Sequence, residues 1–119
     1  MNRIEHQHQC AFTDWFKLQY PQYYPLYTSS LMGANLTIQQ ATIAKAKGCK
    51  KGWPDIQIMV RNRGYGGFFI ELKSPKPYKS YITDEQNEAK NNLMRFGYYC
   101  EIAYGWIEAK EQWEWYIST

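Results

Sequence analysis

Three ionisable residues, Asp55, Glu71 and Lys73, have the types and spacing that metal-assisted phosphodiester cleavage requires. Carboxylates are the ligands that a hard divalent cation prefers, and a lysine can hold or polarise a water molecule. Asp55 follows a Gly-Trp-Pro turn, and Glu71 and Lys73 end a run of apolar residues typical of a strand. The pattern predicts a hydrolytic metal site.

Hairpin geometry would bring these three side chains together. Residues two apart on a strand point to the same side, so Glu71 and Lys73 share one face. The residues that alternate with them, Phe68, Ile70 and Leu72, make the other face apolar, so we expect the charged pair at an opening of the sheet. In an antiparallel hairpin the start of the first strand, at Asp55, lies beside the end of the second. Carboxylates that converge there repel each other unless a cation lies between them.

The same residues also fit an ordinary surface. A glutamate and a lysine on one strand face are common at solvated sheet edges, and a three-residue pattern often arises by chance. The pattern alone therefore leaves both interpretations open, and residues in other parts of the chain must distinguish them.

Seven elements are predicted around the hairpin, with helix starts marked by Thr37 and by the Thr83-x-x-Gln86 capping box. The helices are expected over 3–18, 37–47, 83–96 and 106–117, and the strands over 55–60, 68–73 and 98–103. An aromatic-rich loop is expected over 20–36. This order predicts an α/β domain spanning 1–119, with a small mixed sheet flanked by helices.

Composition permits nucleic-acid binding without requiring it. The net charge is +3, apolar residues make up 45% of the chain and aromatic residues 18%. Some of these rings are expected at an interface, because so small a core cannot hide them all. The exposed loop from Tyr20 to Tyr27 is the candidate surface. Basic loop residues could meet phosphates, although such residues are usually only solvated: Lys45, Lys47, Lys50, Lys51, Arg61, Arg63, Lys76 and Lys79.

Cysteine and histidine usage argues against zinc and disulfides. Cys10, Cys49 and Cys100 are an odd, widely spaced set without a Cys-x-x-Cys pair, which favours a reducing compartment. His6 and His8 are two positions apart on the first helix, so they diverge and are expected on the surface. No signal segment or membrane span is predicted, so we expect a soluble cytoplasmic protein, in the host cytoplasm if it is encoded by a phage.

Three further polar residues are candidates for the site. Glu5 and Gln9 share a face of the first helix that continues toward the core, although acidic residues also suit a helix start. Gln86 could turn toward Glu71 if its helix packs there. It could equally close the capping box with Thr83, which is a purely structural role.

Five motifs in this order resemble the VRR-NUC domain, a branch of the PD-(D/E)XK nuclease superfamily, in its small stand-alone form from phages and bacteria. They span nearly the whole chain: Glu5-x-x-x-Gln9, Gly52-Trp53-Pro54-Asp55, the strand ending in Glu71-Leu72-Lys73, Thr83-Asp84-Glu85-Gln86 and Gly97-Tyr98. The resemblance implies a restriction-endonuclease-like α-β-β-β-α-β core and metal-dependent phosphodiester hydrolysis.

The resemblance also implies a ligand set and a cofactor. By motif position, Asp55 and Glu71 would bind Mg²⁺ or Mn²⁺, together with the backbone carbonyl of Leu72. Glu5 would bind a metal or its waters. Lys73 would orient and help to activate the attacking water.

Gln86, and less directly Gln9, would support that site. Similar small stand-alone domains suggest a homodimer that cuts branched DNA such as a four-way junction. No small-molecule cofactor and no membrane partner are implied.

Two other functions stay open on the sequence. A non-catalytic DNA- or junction-binding module could keep this fold and use its lysines and tyrosines. A protein that binds another protein through the loop from Tyr20 to Tyr27 is the third possibility.

Overall fold

The structure, a computed structural model, describes residues 2–30 and 36–119. All seven predicted elements are present, and the α/β class is confirmed. The helices are α1 (Arg3–Gln19), α2 (Ile38–Ala46), α3 (Asp84–Arg95) and α4 (Trp106–Ile117). The strands are β1 (Tyr27–Ser29), β2 (Ile56–Ile58), β3 (Phe68–Lys73) and β4 (Tyr99–Tyr104), and a 3₁₀ turn covers Tyr24–Leu26.

The sequence predictions differ from the structure at two strands: β1 was not predicted, and β2 is shorter than predicted. β1 lies in the segment that was predicted as a loop, of which residues 31–35 lie outside the described part of the chain. β1 forms because the Tyr27 ring packs on Phe12 and Phe16, with centroids 6.3 and 5.2 Å away. β2 has three residues instead of the six predicted, because Val60 turns back to bond the Ile58 carbonyl.

The four strands form one mixed sheet in the order β1-β2-β3-β4. β1–β2 and β2–β3 are antiparallel pairs, whereas β3 and β4 run parallel and are joined through α3. Ile56 pairs with Ile70, and the same register continued by one step brings Asp55 opposite Glu71. β3 is therefore central, and its carboxyl end lies beside the start of β2.

Aromatic packing fills the face of the sheet that α1 and α4 cover. Phe68, Ile70 and Leu72 are buried there against rings from both helices. Phe16 meets Trp113 edge to face at 5.1 Å. The rings of the segment from Tyr20 to Tyr27 also pack on this cluster, so the expectation of an exposed aromatic loop was wrong. The local sequence could not show that α1 and α4 would leave room for them.

Helix starts follow the predicted caps, with one long-range exception. Thr37 and Thr83 both form complete capping boxes. α4 begins after Gly105, which has no side chain to cap it, and the Trp106 N–H donates instead to His8 Nδ1 at 3.0 Å. His8 is consequently half-buried rather than on the surface, whereas His6 is exposed as expected.

The three cysteines are unpaired, with Cys100 buried and the other two exposed. Within 2–30 and 36–119, none of the helices has the length and apolar character that crossing a membrane requires.

Candidate active site

The charged residues of β3 are buried, which corrects the prediction that they lie at an opening of the sheet. Glu71 is 4% exposed, and Lys73 and Asp55 are each 6% exposed. A second, smaller cluster covers this face: the Phe69 ring packs with Leu93 of α3 and with Trp53. An ionisable group in such a place loses most of its hydration, so its neighbours control its charge.

Asp55 lies where hairpin geometry predicted it. Its Oδ2 accepts a 2.8 Å hydrogen bond from the backbone N–H of Leu72. In a strand, the N–H and the carbonyl of one residue point to the same edge, so the Leu72 carbonyl faces the Asp55 side as well. The end of β3 therefore presents one carboxylate and one backbone oxygen on this edge.

A glycine keeps the turn before Asp55 in contact with α3. Gly52 has φ +82°, and a Cβ there would lie 2.6 Å from the Glu85 carbonyl carbon and 2.7 Å from the Gln86 nitrogen. Only glycine combines this left-handed backbone with so close an approach. The first turn of α3 and the Asp55 turn are thus packed backbone to backbone.

Glu71 is the buried carboxyl whose pKa is affected by Asp55, Lys73 and Glu5. Burial raises the pKa of its carboxyl far above the ordinary range. Hydrogen bonding with Asp55 and the charge of Asp55 raise the pKa further, as does the charge of Glu5 to a smaller extent, whereas Lys73 lowers it. In the metal-free protein the Asp55–Glu71 pair therefore shares a proton at neutral pH.

Glu5 reaches the same region from α1. Asn2 caps the helix by accepting from the Glu5 N–H at 2.8 Å, and its Nδ2 donates to Glu5 Oε2 at 2.6 Å. Ser74 Oγ lies 3.4 Å from the same Oε2, in donor position. These contacts hold the buried Glu5 carboxylate beside the end of β3.

The two glutamines are not brought into this cluster by any contact in the described structure. Gln86 uses its side chain in the capping box: Oε1 accepts from the Thr83 N–H at 3.0 Å. Gln9 is half-buried on α1, and its backbone carbonyl accepts a hydrogen bond from Thr13 Oγ1 at 2.8 Å. The Gln86 side chain thus has the structural role of capping α3.

Asn2, Gly52 and Ser74 are the residues that the sequence interpretation missed. Ser74 follows Lys73 directly and is buried, which is unusual for a polar residue at a strand end. Gly52 belongs to the Gly-Trp-Pro-Asp motif, but its close approach to α3 depends on the tertiary structure. Asn2 carries the Ncap signal of an asparagine before a helix, which the sequence interpretation did not use.

The oxygen donors of the site fit a hard divalent cation. Asp55, Glu71 and the Leu72 carbonyl supply the ligand type that Mg²⁺ and Mn²⁺ prefer. Burial first, and the neighbouring Asp55 carboxyl second, raise the pKa of Glu71, so a bound cation would favour its ionised form. In the part of the chain that the structure describes, no three His, Cys, Asp or Glu side chains are already gathered around a cation position. Ion binding would therefore require the Glu71 proton to leave.

The basic residues divide between the two ends of the sheet. Arg63 lies at the far end, stacked 4.2 Å from the Trp115 ring and bonded to the Trp115 carbonyl, which gives it a structural role. Lys51 lies 4.0 Å from Glu85. Lys76 and Lys79 are exposed near Ser74, next to the candidate site.

Comparison with known proteins matches the chain to one family. The VRR-NUC domain matches residues 2–106. A solved structure described as a VRR-NUC domain protein superposes with a TM-score of 0.82 at 26% sequence identity, covering 98% of this chain and 90% of that chain. No curated protein matches the sequence. A nuclease-type function in DNA processing, with DNA as the substrate, follows from the family. On this evidence the chain belongs to the VRR-NUC domain family.

Proposed function

We propose that this protein is a Mg²⁺- or Mn²⁺-dependent DNA endonuclease that cleaves branched DNA such as a four-way junction. The observation that carries the proposal is the buried Asp55–Glu71 carboxyl pair, which lies beside the buried Lys73 at the end of β3. A structural ion pair at a sheet edge would have no reason to bury two acids together, since their repulsion raises the free energy of the ionised site.

Each residue has a distinct role in this proposal. Asp55, Glu71 and the Leu72 carbonyl would hold the cation, which when bound supplies Lewis-acid polarisation and neutralises charge on the phosphate. Lys73 would orient the attacking water in line with the scissile bond. Glu5, fixed by Asn2 and Ser74, would accept hydrogen bonds from water in the site. The P–O3′ bond breaks, so the products carry a 5′ phosphate and a 3′ hydroxyl.

A homodimer in the cytoplasm completes the proposal. Two symmetrical cuts in a junction need two sites, and a twofold dimer supplies them. Unpaired cysteines, two of them exposed, suit a reducing compartment.

Cleavage assays on substrates of defined shape test the proposal. Labelled four-way junction, flap, duplex and single strand are incubated with Mg²⁺, Mn²⁺ or EDTA. We expect metal-dependent cutting of a branched substrate, and loss of cutting in Glu71→Ala and Lys73→Ala with DNA binding retained.

Glu101→Gln is the matched control, because Glu101 is a half-buried acid on the neighbouring strand that pairs with Lys90 at 3.2 Å. If no substrate is cut with either metal, the proposal is wrong. Salt-sensitive binding without cutting would instead favour the non-catalytic module.

A further inference from the structure

The segment Ser74–Tyr81, here called the strap, follows Lys73 directly and forms a wall of two surface grooves. Gly105, whose N–H donates to the Lys73 carbonyl at 2.9 Å, packs so closely on Pro75 that a Cβ would lie 3.2 Å from it. Ser80 Oγ closes the segment by donating to the Ser74 carbonyl at 3.2 Å. The strap is therefore fixed to the end of β3 at both of its ends.

The two grooves share one wall, which follows directly after Lys73. One, of about 580 Å³, runs between the strap and the start of α4. The other, of about 470 Å³, runs between the strap and the first turn of α1. Ser74, Tyr78 and Lys79 line both grooves, and Ser74 also contacts the buried Glu5 carboxylate. A ligand in either groove would therefore lie next to Ser74, which connects both grooves to Glu5 and follows Lys73 in the chain.

The charges that line the grooves favour an anion. Arg3, Lys76 and Lys79 are exposed cations on these walls, and Glu108 is the acid among the residues that line them. The start of α1 adds the positive end of a helix dipole. A phosphodiester backbone complements this arrangement.

Exposed tyrosine rings on and near the strap indicate that the ligand also carries groups that stack. Tyr81 is 76% exposed, Tyr78 53% and Tyr104, across the groove, 43%. Tyrosine faces in contact with water are platforms on which nucleic-acid bases stack. In a duplex the base faces are already covered by their neighbours, so such rings can stack only on unpaired bases.

We infer that the strap binds an unpaired, single-stranded segment of the DNA substrate beside the scissile bond, with lysines on its phosphates and Tyr81 stacked on a base. This inference rests on the proposed function and narrows it, because among branched substrates it selects those with a single-stranded arm, such as a flap, over the fully paired four-way junction.

Binding in EDTA tests the strap separately from cleavage. The affinity of the full chain is measured by fluorescence anisotropy for a short oligothymidylate and for an abasic oligomer of equal length, which has the phosphates without the bases. We expect tighter binding of the oligothymidylate. Tyr81→Ala should weaken that binding about tenfold, leave the abasic oligomer unaffected, and be rescued by Tyr81→Phe.

Lys79→Ala should weaken the binding of both oligomers. The slope of log affinity against log salt concentration should become shallower by about 0.7, because one phosphate contact is lost. Phe96→Ala is the control, because Phe96 is a 71% exposed ring beyond the opposite end of β4. The inference fails if Tyr81→Ala leaves oligothymidylate binding unchanged, if it weakens the abasic oligomer equally, or if Phe96→Ala has the same effect. It also fails if polyglutamate displaces the oligothymidylate as well as unlabelled DNA does. The binding assay contains no metal, so its result does not depend on whether the protein cleaves DNA.

Discussion

The two faces of β3 are equally buried and chemically opposite. On one face Phe68, Ile70 and Leu72 meet rings and aliphatic side chains from α1 and α4. On the other face Phe69 is followed by Glu71 and Lys73. These two side chains are ionisable, yet they are as deeply buried as the apolar residues. The first face lowers the free energy of the folded state. The second raises it, because desolvation penalises each charged form.

This difference assigns stability and chemistry to separate sides of one strand. The apolar face anchors β3 in the core, while the reverse side of the same strand carries the buried charged residues. Substitutions on the two faces should therefore have opposite signatures: loss of stability on the apolar face and loss of cleavage on the charged face.

The largest effect is expected for Glu71→Gln on DNA cleavage. The change keeps the shape of the side chain and removes a proposed metal ligand, so the rate should fall by at least about ten-thousandfold, or about 5 kcal/mol. Cleavage kinetics with Mg²⁺ measure this loss, with Glu101→Gln as the control. If the variant keeps activity within about tenfold of the parent, Glu71 is not a metal ligand in the reaction.

Phe68→Ala should show the opposite signature. Phe68 stacks on Tyr99 at 5.0 Å and meets Trp113 at 5.2 Å, so the cavity should lower the free energy of unfolding by about 4 kcal/mol. Urea unfolding measures the loss, and cleavage per folded molecule should stay close to that of the parent. An inactive but stable variant would show that the two faces are not separate.

The pH dependence of metal-free stability should reveal the charged face. The pKa of Glu71 rises from 4.5 to about 10 on folding, so the unfolded chain releases this proton at lower pH than the folded protein does. Stability is then fully present below pH 4.5 and falls as pH rises toward the folded value. We expect a loss of about 3 kcal/mol on passing from pH 4.5 to neutral pH, since each pH unit in this range contributes about 1.4 kcal/mol. Glu71→Gln should abolish this slope, and a slope unchanged by that substitution would contradict the assignment.

Metal binding should release the same proton. Calorimetric titration with Mn²⁺ in buffers of different ionisation enthalpy should show about one proton released per ion at neutral pH, since a ligating carboxylate must be deprotonated. In Glu71→Gln this proton release should disappear.

The smallest effect is expected for Ser74→Ala. The serine supports Glu5 and contacts Asn2 at 3.3 Å, so its loss should cost about 1 kcal/mol of stability. Ser118→Ala, at an exposed helix end, should change stability by less than about 0.5 kcal/mol. Equal effects in urea unfolding would mean that the Glu5 contact contributes nothing.

Local rules were enough to predict the elements that frame the site. Thr37 and Thr83 predicted helix starts because a cap needs only the next three residues. The run from Phe68 to Lys73 predicted β3, and strand pairing alone predicted that Asp55 would lie beside it. These are interactions of short range or of simple hairpin geometry.

Features that depend on distant segments could not be predicted. The burial of Glu71 requires Trp53 and Leu93 to cover its face, and the capping of α4 by His8 joins residues from opposite parts of the chain. β1 has three residues and exists because Tyr27 fits between α1 and the sheet. In each case tertiary packing decides, and no pattern within a short window records it.

α1 and α4 run side by side in the same direction, because both start at the carboxyl end of β3. Asn2 is bonded to Glu5 and Ser118 lies next to Arg63 at the opposite end of the sheet. A fluorophore attached at Ser118 would therefore stand roughly a sheet length away from the acids. The same label attached at Asn2 would crowd them, so tethering experiments on this protein should use the end of α4.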